Sequence, residues 1–260
     1  MKTLFLFCFL ILLGSFNAIS QSAGELNEKS KNYLISGDIK AAIPLLKEAA
    51  ELGNAEAQYN YGVCFQQGAG VSQDDKTANE WFLKSASQGW KDAQFKLAYS
   101  FATGRGVEQD NKKAFQWALK CAAQNDPECM FNVVSSYMEG FGTEKNLDSM
   151  MVWANRLGSL ENPDNLKLSA SITSARLQLA QMYKVGKFVT KDLVQSYSWL
   201  LLYNESKRDF SILEQQKNIE FIKEVEKELT KAQIATAKKV AEESIGRPLR
   251  NLDNLYKQDL

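Results

Sequence analysis

The feature that most constrains the fold is a sequence pattern of 36 residues that returns along most of the chain. Trp81, Trp117 and Trp153 are each 36 residues apart, and Trp199 continues the series after an insertion of ten residues. A glycine lies 13 residues before each of these tryptophans. A fixed period in this range, with two helical patterns in each copy, is typical of helical repeat arrays. We therefore predict an all-α solenoid built from antiparallel helix pairs.

Each regular copy has the same internal order of residue types. A first helix (helix A) opens near a small residue, namely Ala57, Ala93 or Cys129, which allows a neighbouring helix to approach closely. A Gly-x-Gly turn follows, because glycine accepts positive φ without steric cost, and a second helix (helix B) carries the tryptophan. The turn lacks the third glycine and the preceding strand of a dinucleotide-binding loop. The predicted repeat domain spans 26–206, with repeats over 26–53, 54–89, 90–125, 126–170 and 171–206.

The segments beside the regular copies carry signals of their own. The ten extra residues, 162–171, form either a loop on a binding face or a feature without a binding role, namely a longer helix or a relaxed loop, and the sequence favours neither. Residues 209–245 are a predicted C-terminal cap of two helices, about 211–228 and 231–245, in which Thr230 and Gln233 have the pattern of a capping box. Residues 246–260 are predicted to be a flexible tail.

Residues 1–20 have the organisation of a signal peptide. Lys2 supplies a positive start, residues 4–13 form an unbroken apolar run, and Ala18 and Ser20 place small residues at the cleavage positions. Ten helical residues span about 15 Å, half of a hydrocarbon core of roughly 30 Å, so an uncleaved anchor is the weaker interpretation. We expect cleavage near Ser20 and Gln21. The mature chain would then be exported, periplasmic or secreted, with no stable membrane insertion.

Charge and composition exclude several classes of function. The 31 basic and 31 acidic residues are spread without a long run of like charge, which argues against nucleic acid or an anionic membrane as partner. The chain contains no histidine, which excludes His-based catalytic triads, imidazole zinc sites and histidine pH switches. No serine has a lysine three positions later, as serine β-lactamase chemistry requires. Residue types alone do not exclude a two-carboxylate glycosidase, but the acidic residues belong mainly to predicted turns and outer faces. We expect a non-enzymatic protein without a cofactor or metal.

The repeat pattern resembles that of a known family. The first full copy begins with Ala57-Gln-Tyr-x-x-Gly and ends with Gln88-Gly89, and it is similar to the Sel-one-like repeat, a relative of the tetratricopeptide repeat. The resemblance covers roughly residues 38–206 and implies a right-handed superhelix of about five antiparallel helix pairs that contacts other proteins. Exported relatives act as adaptors or regulators. Three positions depart from the pattern: Asn146 in place of Asp, Met150 in place of Ala, and Phe188 in place of the second turn glycine.

Three cysteines remain once Cys8 leaves with the signal peptide. The spacing of Cys121 and Cys129, at the junction of two repeats, resembles that of Helicobacter cysteine-rich proteins, in which such pairs form disulfides across the turn between helices. The resemblance implies a Cys121–Cys129 disulfide, which an oxidising compartment would favour; the alternative is two buried, reduced side chains. Cys64 has no local partner and is expected to pack as a small hydrophobe.

A polar stripe remains on the helix A segments when their small and aromatic positions are turned inwards. If helix A lines the concave side, as in related solenoids, the stripe offers amides for peptide hydrogen bonds and a tyrosine as interface anchor. We therefore predict a monomeric scaffold or adaptor that binds a peptide or protein in envelope signalling, assembly or host interaction. The alternative function is a peptidoglycan- or carbohydrate-binding, or weakly β-lactam-interacting, envelope protein. For each single residue of the stripe, the alternative is a solvated helix face. The predicted binding residues are Asn60, Lys96, Tyr99, Asn132, Gln178 and Gln181.

Overall fold

The computed structural model describes residues 22–205 and 212–252, so the predicted signal peptide lies outside the described residues. Within these ranges all regular structure is helical and no strand occurs, which confirms the predicted all-α fold of tandem helix pairs. In chain order the helices are α1 (22–36), α2 (Ile39–Glu51), α3 (Ala55–Gln67), α4 (Asp75–Ser87), α5 (Lys91–Thr103), α6 (Asn111–Ala123), α7 (Pro127–Glu139), α8 (Leu147–Gly158), α9 (Leu166–Val185), α10 (Leu193–Asn204), α11 (Ile212–Lys227) and α12 (Lys231–Ile245).

The helix B segments begin at side-chain caps that share the period of the repeat. The cap residue accepts a hydrogen bond from a backbone N–H of the first helical turn, and it is Asp in four copies and Asn146 in the fifth. Asn and Asp are about equally good N-caps, so the departure at Asn146 leaves the start of α8 intact. The capping residues are Asp38, Asp74, Asp110, Asn146 and Asp192.

The second position of each turn has a left-handed backbone. Gly70, Gly106 and Gly142 have φ values of +73°, +69° and +70°. A Cβ atom on Gly106 would lie 2.4 Å from the backbone of Asp75, so this turn is also closely packed against the preceding helix B. Phe188 takes the same position in the last repeat and has φ of +70°, so the turn keeps its backbone conformation without glycine.

Contacts divide the chain into two compact units, one ending at Cys121 and the other starting at Ala122. In the first unit, a buried cluster joins Leu46 of α2 with Tyr61 of α3, and Trp81 of α4 packs against it. The ring centroids of Tyr61 and Trp81 are 5.3 Å apart in an edge-on arrangement. Trp81 therefore contacts its own helix A and packs against a cluster that helix A shares with the helix B before it.

A second cluster in the same unit repeats this arrangement. Phe82 of α4 and Leu97 of α5 are buried next to the small residues Ala78 and Ala93, and Trp117 of α6 packs against them. The small residue near the start of helix A is completely buried, so α5 lies close to its neighbours at that point. The 36-residue pattern thus corresponds to a packing unit that recurs along the array.

The second unit has one larger buried cluster that includes the C-terminal helices. Trp199 of α10 is 6% exposed, and Ile222 of α11 and Ala237 of α12 are buried in the same cluster. The capping box predicted at Thr230 and Gln233 is present at the start of α12. The two C-terminal helices therefore cover the last repeat with an apolar face.

The insertion before the last repeat is a longer helix anchored by a buried arginine. α9 has 20 residues where α7 has 13, so the longer-helix alternative is the one observed. Arg176 of α9 is 2% exposed. Its guanidinium donates to the carbonyls of Gly158 (2.8 Å), Leu160 (2.7 Å) and Leu202 (3.0 Å) and to Oδ1 of Asn162 (2.6 Å). These bonds tie the connection between α8 and α9 to α10.

The segment after α12 is bound to the end of α10. The carboxylate of Glu205, whose side chain is 4% exposed, accepts from Nη1 of Arg247 at 2.9 Å and from the backbone N–H of Asn251 at 2.7 Å. These contacts hold residues 247–251 against the end of α10, and the flexible tail over 246–260 stays a prediction. Residues 253–260 lie outside the described residues.

Candidate functional site

In the first unit, the predicted stripe residues lie on α3 and α5. Asn60 is half-buried on α3, and Lys96 and Tyr99 lie one turn apart on α5. Tyr99 is 49% exposed, so its ring is available to a partner. Nζ of Lys96 donates to Oε1 of Gln66 on α3 at 2.9 Å, and this bond connects the stripes of two neighbouring repeats.

Charged groups that the sequence analysis did not single out surround this part of the stripe. Arg105, in the turn after α5, forms an ion pair with Asp75 at 3.0 Å, and this hydrogen-bonded carboxylate raises the pKa of the guanidinium. Arg105 is also close enough to Tyr99 for an electrostatic interaction between the two side chains. On α3, burial raises the pKa of Tyr59, and the charge of Asp92 on α5 raises it further. The exposed ring of Tyr99 and the partly buried ring of Tyr59 therefore lie near charged groups of α4, α5 and the turn after α5.

In the second unit, the predicted stripe residues lie on α7 and α9. Asn132 is exposed on α7, and Gln178 and Gln181 are exposed one turn apart on α9. Lys167 and Glu128 form an ion pair at 2.9 Å that connects the two helices. This part of the stripe presents neutral amides, which can both donate and accept hydrogen bonds.

The pairing of two cysteines agrees with the resemblance to the Helicobacter cysteine-rich proteins. Cys121 and Cys129 are disulfide-bonded, as that resemblance implied. With Asp126 they form the one group of three possible metal ligands in the described ranges 22–205 and 212–252. Both sulfur atoms are used in the disulfide, and Asp126 accepts from the backbone N–H of Cys129 at 3.0 Å as the cap of α7. The chemistry of this group is that of a structural crosslink.

Cys64 does not have the surroundings of a nucleophile. It is buried in the first cluster of the N-terminal unit, and it is a free thiol. Burial raises the pKa of its thiol, which lowers the fraction of reactive thiolate at neutral pH.

No helix in the described part of the chain combines the length and the apolar composition that a membrane span requires.

A basic and apolar turn is the surface feature that sequence reasoning missed. The turn between α9 and α10 holds Phe188 in a left-handed conformation and exposes Val185 beside it. In the sequence, this feature is visible only as the replacement of the second turn glycine by Phe188. Without the backbone conformation, that replacement looks like ordinary divergence of the repeat.

Comparison with known proteins identifies the repeats. The family model of the Sel1 repeat matches residues 23–54, 55–90, 91–126 and 173–202, which is more than half of the chain. It leaves out α7 and α8, although they form a helix pair with the same glycine turn. No curated protein matches the chain.

A solved structure agrees with this assignment. A Sel1 repeat protein from Oxalobacter formigenes matches with a TM-score of 0.59 and 25% identity, over 69% of this chain and 70% of that one. The protective antigen c5321 of uropathogenic Escherichia coli strains, which has an SLR fold, matches with a TM-score of 0.46 and 22% identity, over 94% of this chain and 58% of that one. The chain belongs to the Sel1 repeat family, whose members are generally scaffolds for protein–protein contact.

Proposed function

We propose that this protein is an exported, non-enzymatic adaptor that binds a peptide or protein segment on the stripe of helix A residues. The observation that carries the proposal is Tyr99, which is 49% exposed on α5, whereas Phe101 of the same helix packs against the buried cluster of the first unit. Tyrosine has few rotatable bonds and a polar tip, so it anchors interfaces at low entropic cost. Lys96, one turn away, is already held by Gln66 and could bind an acceptor group of the partner with little further ordering.

The amides of the second unit support the same kind of ligand. Asn132, Gln178 and Gln181 are exposed and can pair with the N–H and C=O groups of an extended segment. Pairing of this kind suits a protein segment as the ligand.

Export is part of the proposal. Residues 1–20 have the organisation of a signal peptide, and the Cys121–Cys129 disulfide suits an oxidising compartment. Mass spectrometry of the mature chain from its native host tests this directly. A chain that begins at Gln21 and is found outside the cytoplasm is the expected result, and an intact Met1 would contradict it.

A carbohydrate ligand is the alternative function, and the tryptophans bear on it. In three repeats, a cation one turn later on the same helix covers the ring of the tryptophan. The distance from the cation to the ring centroid is 3.6 Å at Trp81, 4.0 Å at Trp117 and 5.1 Å at Trp153. A sugar ring would have to displace these cations in order to stack on the exposed faces. This arrangement favours a protein partner over a glycan.

The test is a crosslinking pull-down of the mature chain from its envelope extract, analysed by mass spectrometry. Lys96→Glu with Tyr99→Ala should abolish capture of a saturable protein partner and leave the helical circular dichroism spectrum unchanged, although the lost bond to Gln66 lowers the melting temperature slightly. The matched control is Lys112→Glu with Gln116→Ala, two exposed positions on α6 outside the stripe. Equal loss in both double variants, or full capture by the stripe variant, would refute the assignment. Recovery of glycan fragments would favour the alternative function.

A further inference from the structure

The turn that connects α9 to α10 keeps a backbone conformation that its sequence does not suit. The equivalent turns have Gly70, Gly106 and Gly142, and all three have φ near +70°. Phe188 has φ of +70°, a conformation that side chains with a Cβ atom adopt at a cost in stability. Such strain in an otherwise regular array points to a role outside the fold.

The side chain of Phe188 does not repay this strain by burial. It is 41% exposed, and Val185, three residues earlier, is 55% exposed. Met182 and Tyr183, one turn back on α9, pack against the core of the second unit. The apolar surface of the turn is therefore separate from the core and faces solvent.

The charge of the turn differs from that of its equivalents. Residues 184–191 contain three lysines and no acidic residue, whereas residues 66–73 are uncharged and residues 102–109 and 138–145 each contain acidic residues. Lys184 is used within the fold, since its Nζ pairs with Glu224 at 3.2 Å. Lys187 lies over the ring of Phe188, with Nζ 5.0 Å from the centroid, and Lys191 is exposed.

The nearest acidic group in the sequence is occupied elsewhere. Asp192 directs its carboxylate to the start of α10, where it accepts from the backbone N–H groups of Val194 and Gln195 at 2.9 Å and 3.0 Å. It therefore caps the helix and forms no ion pair with Lys187 or Lys191 among the described contacts, and these two lysines outnumber it beside an exposed aromatic ring.

We infer that residues 184–191 form a docking site for an acidic protein segment that carries an apolar side chain. The apolar side chain of that segment would cover Phe188 and Val185, and its carboxylates would bind Lys187 and Lys191. Charge complementarity and the exposed apolar pair select this occupant, and the strain at Phe188 is the cost of presenting the ring. The site shares no residue with the predicted helix A stripe, although Val185 lies one turn after Gln181 on α9. Its observations are the turn at Phe188 and its lysines, so it does not depend on the function proposed above.

The experiment uses a short fluorescein-labelled synthetic peptide in which Leu-Phe is flanked on both sides by Asp and Glu. A second peptide with Lys in place of each acidic residue is the control ligand. Binding to the chain is measured by fluorescence anisotropy, and the contact is located by amide chemical shifts of the isotope-labelled protein. We expect the acidic peptide alone to bind, to shift the amides of residues 184–191, and to bind more weakly as salt is raised.

The decisive variant is Phe188→Gly, because it should raise the stability of the fold and lower the affinity for the peptide. Relief of the left-handed strain should raise Tm by about 1–4 °C, after allowance for the greater unfolded-state entropy of glycine. Peptide affinity should fall about tenfold, with the loss of an aromatic anchor. Lys187→Glu with Lys191→Glu should reduce affinity at least as much.

Two control variants test whether binding is specific to this turn. Phe141→Ala removes an equally exposed aromatic, 40% exposed in the preceding turn, and should leave peptide binding unchanged. Lys96→Glu with Tyr99→Ala should also bind the peptide normally, so failure of the helix A proposal would not affect this result.

Three outcomes would overturn the inference. The first is peptide binding that Phe188→Gly does not weaken. The second is Phe188-dependent sedimentation with phosphatidylglycerol–phosphatidylcholine vesicles without peptide binding, which would make the occupant a membrane. The third is Phe188-dependent self-association without peptide binding, which would make it a second copy of the chain.

Discussion

Arg176 is the side chain whose removal should cost the second unit most. Its guanidinium is 2% exposed and donates four hydrogen bonds, to the carbonyls of Gly158, Leu160 and Leu202 and to Asn162. A hydrogen bond to a charged group contributes about 1.5–3 kcal/mol, so the gross loss in Arg176→Met is about 6–12 kcal/mol. Met also removes the desolvation cost of a buried cation, which is several kcal/mol. The net expectation is a loss of about 3–5 kcal/mol in the free energy of unfolding.

Urea unfolding followed by circular dichroism, together with thermal melts, measures this loss. For a chain of this size, Tm should fall by about 6–20 °C, with no change in the slope of the urea transition. The Tm of Arg176→Lys should fall nearly as far, because one ammonium group cannot replace a planar guanidinium that donates to three segments of the chain. Arg105→Met is the matched control, since the Arg105–Asp75 pair is partly exposed and should contribute no more than about 1 kcal/mol.

A specific result would refute this reasoning. If Arg176→Met unfolds within about 1 kcal/mol of the parent chain, the three carbonyls find other donors and the guanidinium does not hold the connection. A similar loss in the Arg105 variant would show that removal of an arginine destabilises this chain whether or not the side chain is buried.

Three further changes test the packing, the crosslink and the helix caps. Trp117→Ala should lower the free energy of unfolding by about 2–4 kcal/mol, since it opens a gap against the cluster of Phe82, and an unchanged melting temperature would contradict this core role. Loss of the disulfide in Cys121→Ser with Cys129→Ser should cost about 2.6 kcal/mol for so short a loop, measured by thermal melts that thiol reductants shift only in the parent. The pKa of Asp74 is lowered, first by the hydroxyl of Thr77, so the stability that its carboxylate contributes is present above pH 3.8 and is lost as pH falls through the lower folded-state value. Asp74→Asn should keep Tm near neutral pH and flatten its decline in acid; an identical acid decline would contradict the assignment.

The repeated parts of the fold could be predicted because each depends on residues close in sequence. Helix caps act over two or three residues, and turn glycines are required by local φ values. The tryptophans mark one packing unit that recurs, so a single period fixes the helix pairs. The exposure of Tyr99 followed from the same periodicity, because the helical face that avoids the buried small residues is known.

The parts that could not be predicted depend on partners far apart in sequence. Arg176 meets Asn162 and Leu202 across 14 and 26 residues, and Glu205 binds Asn251 across 46. In the sequence, both charged residues look like ordinary surface positions. A tail that ends a polar segment likewise reads as flexible, although a buried carboxylate binds its backbone. Nothing in local propensity or periodicity reports such contacts.

The departures from the repeat pattern differ in how well each residue suits the backbone conformation and the burial of its position. Asn146 caps a helix as Asp would, and Met150 is completely buried in the core of the second unit. Asn125 has φ of +61° at a position where Gly53 and Gly89 stand in earlier copies.

Asn is the residue besides glycine that best accepts this conformation, and its Oδ1 also accepts from Arg156 at 2.6 Å. Phe188 alone among these departures has neither a tolerant backbone nor a buried site. Because the fold would gain from glycine there, the aromatic ring is better explained by what it presents to a partner than by what it contributes to the array.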